Sequence, residues 1–124
     1  MHCPKCKNIM AEIDHDGITI DRCIYCNGLW FDHQEIDKLL HRKGSEVIDR
    51  GASRTGSNYD TIKKIMCPRC NIPMIEKKDS DKDPFTYETC AQCNGIFLDA
   101  GEFKKMKARP KGSIFDYLKT ILNK

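Results

Sequence analysis

The sequence predicts a small α+β protein made of two tandem modules, each stabilised by a bound metal ion rather than by a large core. All eight cysteines of the 124-residue chain stand in Cys-x-x-Cys pairs, and the spacing between pairs alternates from short to long. Modules of about 40 residues rarely bury enough apolar surface to fold without a metal or disulfides. The pairs are Cys3/Cys6, Cys23/Cys26, Cys67/Cys70 and Cys90/Cys93.

The cysteine spacing predicts two zinc sites. Sixteen residues lie between Cys6 and Cys23, and nineteen lie between Cys70 and Cys90. Two Cys-x-x-Cys turns joined by a hairpin of that length supply the four thiolates of a tetrahedral zinc ribbon. Because four thiolates also suit iron, a rubredoxin-like site remains an alternative. We predict two zinc ions per chain, one bound by Cys3, Cys6, Cys23 and Cys26 and the other by Cys67, Cys70, Cys90 and Cys93.

Charge and the start of the chain bear on compartment and partner. No apolar segment precedes Cys3 and no stretch of about 18 apolar residues occurs, so we expect a cytoplasmic protein without a membrane span. A reducing compartment favours metal-bound thiols over disulfides. Each four-thiolate site with a divalent ion carries −2, so the formal charge of +3 becomes −1. Net charge therefore gives no global argument for a nucleic acid partner.

Each long gap between cysteine pairs predicts a β-hairpin. In the first module, short strands over 10–13 and 18–22 flank the dipeptide Asp16-Gly17, which is a strong hairpin-turn signal. In the second module the strands are expected over 74–77 and 85–89, with a longer turn between them.

A short helix is expected after the second cysteine pair of each module. An aspartate followed three residues later by a glutamate resembles a capping box, with the aspartate as the N-cap. Apolar residues then follow at helical spacing. The two capping pairs are Asp32 with Glu35 and Asp99 with Glu102, and the apolar residues are Ile36, Leu39 and Leu40 in one module and Phe103 and Met106 in the other.

These elements divide the chain into four segments. The first zinc ribbon with its helix covers 1–43, and the second covers 66–109. The segment 44–65 is rich in Gly and Ser in its first part and is interpreted as a flexible linker. The remaining segment, 110–124, predicts an amphipathic C-terminal helix whose apolar side should dock on this chain or on a partner, so self-association is possible.

The two modules are copies of one pattern, and that pattern resembles the transcription-factor-IIB-like zinc ribbon of small bacterial proteins. The first copy carries Cys3, Pro4, Cys6, Met10, Cys23, Cys26, Gly28, Trp30, Asp32 and Glu35. The second carries Cys67, Pro68, Cys70, Met74, Cys90, Cys93, Gly95, Asp99 and Glu102, with Phe97 in place of the Trp. The resemblance implies zinc binding and a ribbon fold. It implies much less about activity, because a shared fold does not carry function.

The functional hypothesis is a non-catalytic interaction module for a protein or nucleic acid partner, with a possible link to transcription. Thiol redox chemistry is the alternative, since Cys-Pro-x-Cys also occurs in dithiol oxidoreductases, but no thioredoxin-like βαβ pattern accompanies it. A hydrolytic zinc enzyme needs an open coordination position that four thiolates deny. We therefore expect no enzyme activity. The candidate partner contacts are Trp30, Lys104, Lys105, Lys107, Arg109 and Lys111.

Overall fold

The computed structural model describes residues 1–32, 34–51, 64–79 and 84–108. Each repeat has a hairpin, a third short strand and a helix. In the first repeat these are β1 (Met10–His15), β2 (Ile18–Cys23), β3 (Leu29–Phe31) and α1 (Glu35–Leu40), followed by a 3₁₀ helix over Ser45–Ile48. In the second they are β4 (Ile75–Asp79), β5 (Phe85–Thr89), β6 (Ile96–Leu98) and α2 (Glu102–Lys107).

Both predicted hairpins are confirmed. The turn at Asp16 and Gly17 has positive φ at both residues, as an Asp-Gly hairpin turn requires. The third strand of each repeat was not predicted. The expected C-terminal helix over 110–124 lies outside the described residues, as does 52–63 of the expected linker.

The two repeats form one antiparallel sheet of six strands in the order β1-β2-β3-β6-β5-β4. Its centre is the pairing of β3 with β6, in which Trp30 lies opposite Phe97. This pairing relates the repeats by an approximate two-fold axis between the two strands. The repeats are therefore halves of a single sheet and not two ribbons joined only by a tether.

Each face of the sheet carries its own core. Leu29 and Phe31 point to the face covered by the helices, where the ring of Phe31 stacks on that of Phe103 at a centroid distance of 5.5 Å. Trp30 points to the opposite face, where it packs with the cysteines and Phe97. The alternation follows from the period of two along a strand. Because both faces are covered, β3 is apolar throughout, and the sequence shows no alternation there.

Residues 44–51 are packed against the second repeat, so the expectation of a flexible linker is wrong for this part of 44–65. The side chains of Ile48 and Asp49 are both buried. The Asp49 carboxylate accepts hydrogen bonds from the backbone N–H groups of Gly101 and Lys104 at 2.8 and 3.1 Å. These groups lie at the start of α2, where a helix leaves amide donors without partners inside the helix. Asp49 therefore acts as the cap of a helix far away in the sequence.

Candidate metal centres

The first centre brings together the four cysteines predicted from spacing. Cys3 and Cys6 come from the turn before β1, Cys23 ends β2, and Cys26 lies in the turn before β3. Their Sγ atoms all lie within 4.8 Å of one another, with Cys3 to Cys26 at 3.8 Å and Cys6 to Cys23 at 3.3 Å. A tetrahedron with Zn–S bonds of about 2.3 Å has S–S edges of about 3.8 Å. The sulfurs fit one zinc ion.

The second centre repeats this arrangement with Cys67, Cys70, Cys90 and Cys93. Their sulfurs also lie within 4.8 Å of one another, and Cys67 is 3.7 Å from Cys93. Over the described residues, only cysteines enter the two groups that could hold a metal. The protein thus binds two zinc ions, each with a full complement of four thiolates.

The turns that hold the cysteines have a particular backbone. The residue after the second cysteine of each pair has a positive φ between 56° and 68°, and its N–H donates to the carbonyl of the first cysteine. Asparagine tolerates this left-handed conformation better than most residues and occupies three of the four positions. The positions are Lys7, Asn27, Asn71 and Asn94. Each turn therefore presents both of its sulfurs to one point.

The pKa values of the thiols in the first centre show which cysteines resist the deprotonation that zinc binding requires. The contact with Cys26, together with backbone N–H donors, lowers the pKa of Cys3 to about 5. Burial raises the pKa of Cys23 to about 11, and the contact with Cys3 raises that of Cys26 further still. Without a cation, the cluster favours ionisation of Cys3 and resists ionisation of Cys23 and Cys26. Zinc binding consequently releases protons, and acid weakens it.

Trp30 is not a surface residue, so its assignment as a partner contact is wrong. Its side chain is 0% exposed. The indole ring lies against Gly95 of the other repeat, where an added Cβ would come within 2.4 Å of ring carbons. Phe97 lies against Gly28 in the same way, at 2.5 Å. The aromatic residue of each repeat therefore covers the second cysteine turn of the other repeat. The recurrence of Gly-x-aromatic in both repeats was the signal for a shared structural role.

Within the described residues, two ion pairs join the Cys-Pro-x-Cys turn of one repeat to an aspartate of the other, and sequence reasoning missed both. Lys5 donates to both carboxylate oxygens of Asp99 at 2.6 Å, and Arg69 pairs with Asp32 at 3.0 Å. Lys5 and Arg69 hold the same position in the two Cys-Pro-x-Cys turns. We call these pairs the cross-repeat ion pairs. The Lys5–Asp99 pair is largely buried, with 2% and 16% of the side chains exposed, whereas the Arg69–Asp32 pair is at the surface at 48% and 42%.

The cross-repeat ion pairs change the expected role of the two aspartates. The N-cap positions are held by Gln34 and Gly101, and neither residue caps its helix with its own side chain. Half of the predicted capping box does form, because the N–H of Asp32 donates to Glu35 Oε1 at 2.9 Å. The carboxylate of Asp32 itself binds Arg69 of the other repeat. Prediction of Asp32 and Asp99 as N-caps is therefore wrong.

A buried carboxylate, that of Glu88, lies near the Lys5–Asp99 ion pair. Glu88 on β5 is buried, and its Oε2 has no hydrogen-bond partner. Burial, followed by the charge of Asp99, raises the pKa of Glu88 to about 8, although Lys5 opposes the shift. Lys5 is already bound to both oxygens of Asp99 and does not fully balance a second negative charge.

The predicted basic contacts lie on and beyond α2. Lys107 donates to the carbonyl of Arg42 at 2.7 Å and pairs with Glu46 at 3.0 Å. Lys105 pairs with Glu102 at 3.7 Å. Lys104 is exposed. Arg109 and Lys111 lie outside the described residues. Part of the basic run is thus used in contacts within the molecule.

A sheet that carries two closed four-cysteine centres, each formed by paired cysteine turns, defines a tandem zinc-ribbon protein. The model of the family described as transcription factor zinc-finger matches residues 2–42 and 66–109, and the chain belongs to that family. No curated protein and no solved structure matches the chain. Among the helices of the described residues, none is long and apolar enough to cross a membrane.

Proposed function

We propose that this protein is a non-catalytic interaction module that binds a partner protein through an apolar surface on its first repeat. That surface, which we call the apolar tip, consists of Ile9, Ile24 and Tyr25. Their side chains are 60%, 68% and 39% exposed. The N–H of Ile24 donates to the carbonyl of Ile9, so the two exposed isoleucines lie side by side next to the first metal centre. This exposed apolar group carries the proposal.

The second repeat supports the argument, because it forms the same cysteine turns with other residue types at the corresponding positions. Pro73, Ala91 and Gln92 hold the positions that correspond to Ile9, Ile24 and Tyr25. Large apolar side chains are thus not required to build the cysteine turns. Clusters of exposed apolar side chains are typical of sites where proteins bind each other.

The metal centres favour a structural role for zinc. Catalytic zinc retains an open position for water or substrate, whereas four thiolates close the coordination shell. A dithiol oxidoreductase needs a low-pKa cysteine at the start of a helix. Here the Cys-Pro-x-Cys segments precede strands, and all their sulfurs belong to metal centres.

A protein partner is favoured over a nucleic acid by the use of the basic side chains. Nucleic acid binding depends on several lysines and arginines that neutralise phosphates. Lys105 and Lys107 already pair with carboxylates of this chain. A role in transcription, which the family description suggests, would then be exercised through protein contacts.

The test compares two surface variants of the zinc-loaded protein as bait in a nuclease-treated extract. Ile9→Ser combined with Ile24→Ser removes most of the apolar tip. Val47→Ser is the matched control, because Val47 is also 68% exposed but lies in the 3₁₀ helix away from the metal centres. We expect the control and the unmodified protein to capture the same proteins and the double variant to lose them, with two zinc ions retained in all three. Equal capture by the double variant, or capture that depends on nucleic acid, would contradict the proposal.

A further inference from the structure

The two metal centres differ in how deeply their cysteine residues are buried. All four cysteines of the first centre are buried. In the second centre Cys67 and Cys90 are buried, but Cys70 and Cys93 are only half-buried. Those two come from different turns, one from each cysteine pair. The second centre is therefore more exposed to solvent than the first, on the side of Cys70 and Cys93.

A second difference concerns hydrogen bonding to sulfur. Asn8 Nδ2 donates to Cys6 Sγ at 3.3 Å in the first centre. The corresponding residue in the second repeat is Ile72, whose side chain has no polar atom. A hydrogen bond withdraws charge from a thiolate and lowers its reactivity, and outer-shell donors hold metal ligands in place. Cys70 lacks the side-chain donor that its counterpart Cys6 has.

We propose that the second centre is a site of oxidation by peroxides, at which Cys70 and Cys93 react and zinc is released while the first centre keeps its metal. This inference does not depend on the proposed partner protein, since it requires only the two zinc centres.

The chemistry balances with hydrogen peroxide as the oxidant. The thiolate of a half-buried cysteine, Cys70 or Cys93, attacks one peroxide oxygen, the O–O bond breaks, and the sulfur becomes a sulfenic acid with loss of hydroxide. The thiolate of the other half-buried cysteine displaces hydroxide from that sulfenic acid and forms a disulfide. Two thiolates thus lose two electrons, the peroxide gains them and ends as two hydroxide ions, and two protons from the buffer convert these to two water molecules. The sulfurs of the centre lie within 4.8 Å of one another, so the second step requires only local movement. With two of its four ligands lost to a disulfide, the centre would no longer retain zinc.

The direct test uses the intact, two-zinc protein. Hydrogen peroxide is added in small molar steps in the presence of a chromogenic zinc chelator, and alkylation with mass spectrometry locates the cysteines that have reacted. We expect one zinc ion per chain to leave about tenfold faster than the other, in line with outer-shell effects on metal sites. The modified residues should be Cys70 and Cys93. Release of both ions at one rate, or earlier oxidation of Cys3, Cys6, Cys23 or Cys26, would overturn the proposal.

Two reciprocal variants separate the hydrogen bond from simple exposure. Asn8→Ile removes the donor from the first centre and should bring the release of its zinc closer to that of the second. Ile72→Asn offers a donor to Cys70 and should slow release from the second centre. If one variant does not load two zinc ions, the other still gives the comparison. No change in either release rate would show that hydrogen bonding to sulfur does not distinguish the centres, and the proposal in this form would fail.

Discussion

Lys5 lies between the zinc ligands Cys3 and Cys6 in the sequence, yet its side chain forms an ion pair with Asp99 of the other repeat. Its ammonium group is buried against Asp99, and Arg69 makes the corresponding contact with Asp32 at the surface. A buried charge left without its partner is strongly destabilising, whereas an exposed pair contributes little because water and salt screen it. The basic residue at this position should therefore contribute much more to the free energy of unfolding in the first repeat than in the second.

Lys5→Ala is expected to lower the free energy of unfolding by about 3 kcal/mol, because it leaves Asp99 uncompensated in a mostly buried place. Arg69→Ala should cost less than about 1 kcal/mol. Urea unfolding with saturating zinc measures both. The double variant Lys5→Ala/Asp99→Ala should regain part of the loss, because no unpaired charge then remains. Equal costs for Lys5→Ala and Arg69→Ala would contradict this interpretation of burial.

Glu88 should make stability depend on pH. Its pKa is raised to about 8 in the folded protein, against 4.5 for an unperturbed Glu. The folded state thus holds the proton more tightly, and the group destabilises the fold increasingly as pH rises from about 4.5 to about 8. Glu88→Gln is expected to stabilise the protein by roughly 2 kcal/mol more at pH 8.5 than at pH 6, relative to the unmodified chain. Asp14→Asn, which changes an exposed carboxylate on the other edge strand opposite Thr19, is the control and should show little pH-dependent gain. An equal effect of Glu88→Gln at both pH values would be the contrary result.

At the level of elements, the short strands β3 and β6 determine how the repeats meet. Each has only three residues, and both are fully buried. They can lie side by side because Gly28 and Gly95 let the aromatic rings of the opposite strands approach the cysteine turns. The Gly-x-aromatic pattern therefore defines an interface between repeats.

Gly95→Ala tests this interface. The new methyl group would meet the Trp30 ring at 2.4 Å, and overpacking of a core costs about 1–3 kcal/mol. The backbone of Gly95 does not have positive φ, so the loss can be assigned to crowding. Adding Trp30→Phe, which removes the ring atoms in contact, should restore part of the thermal stability. A Gly95→Ala protein that melts like the parent chain would contradict the close packing.

The elements that could be predicted from the sequence are those set by local rules. Cysteine spacing identified all eight ligands, and Asp16-Gly17 identified the first hairpin, because both depend on neighbours along the chain. The β3–β6 pairing was missed, since three-residue apolar strands covered on both faces give no alternation. Trp30 was misplaced because the repeat that buries it is distant in sequence. Asp49 was hidden in a segment whose composition indicates a linker, and only the fold places it at the start of α2.

At the scale of the whole molecule, one sheet couples the two metal centres. Trp30 and Lys5 belong to the first repeat but pack against, or pair with, residues of the second. Disturbing one centre should therefore weaken the other without emptying it, because structural zinc binds with about 10–16 kcal/mol.

This coupling predicts the behaviour of Cys67→Ser/Cys90→Ser, which removes one ligand from each turn of the second centre. We expect one zinc ion per chain, held at the first centre with an affinity reduced by about 30-fold, or roughly 2 kcal/mol. Competition with a chelator of known affinity measures the change. Val47→Ser, a surface substitution, should leave both zinc affinities unchanged. Unaltered affinity at the first centre of the double cysteine variant would mean that the repeats behave as independent units.

The approximate two-fold axis between β3 and β6 has one more consequence. In a homodimer built from two identical chains, every substitution appears twice, so both ends of the assembly must stay chemically alike. Here the two halves are parts of one polypeptide, and a mutation changes a single end. The chain can therefore carry an exposed apolar surface on one half and less deeply buried cysteines on the other. A symmetric pair of identical subunits could not differ in this way.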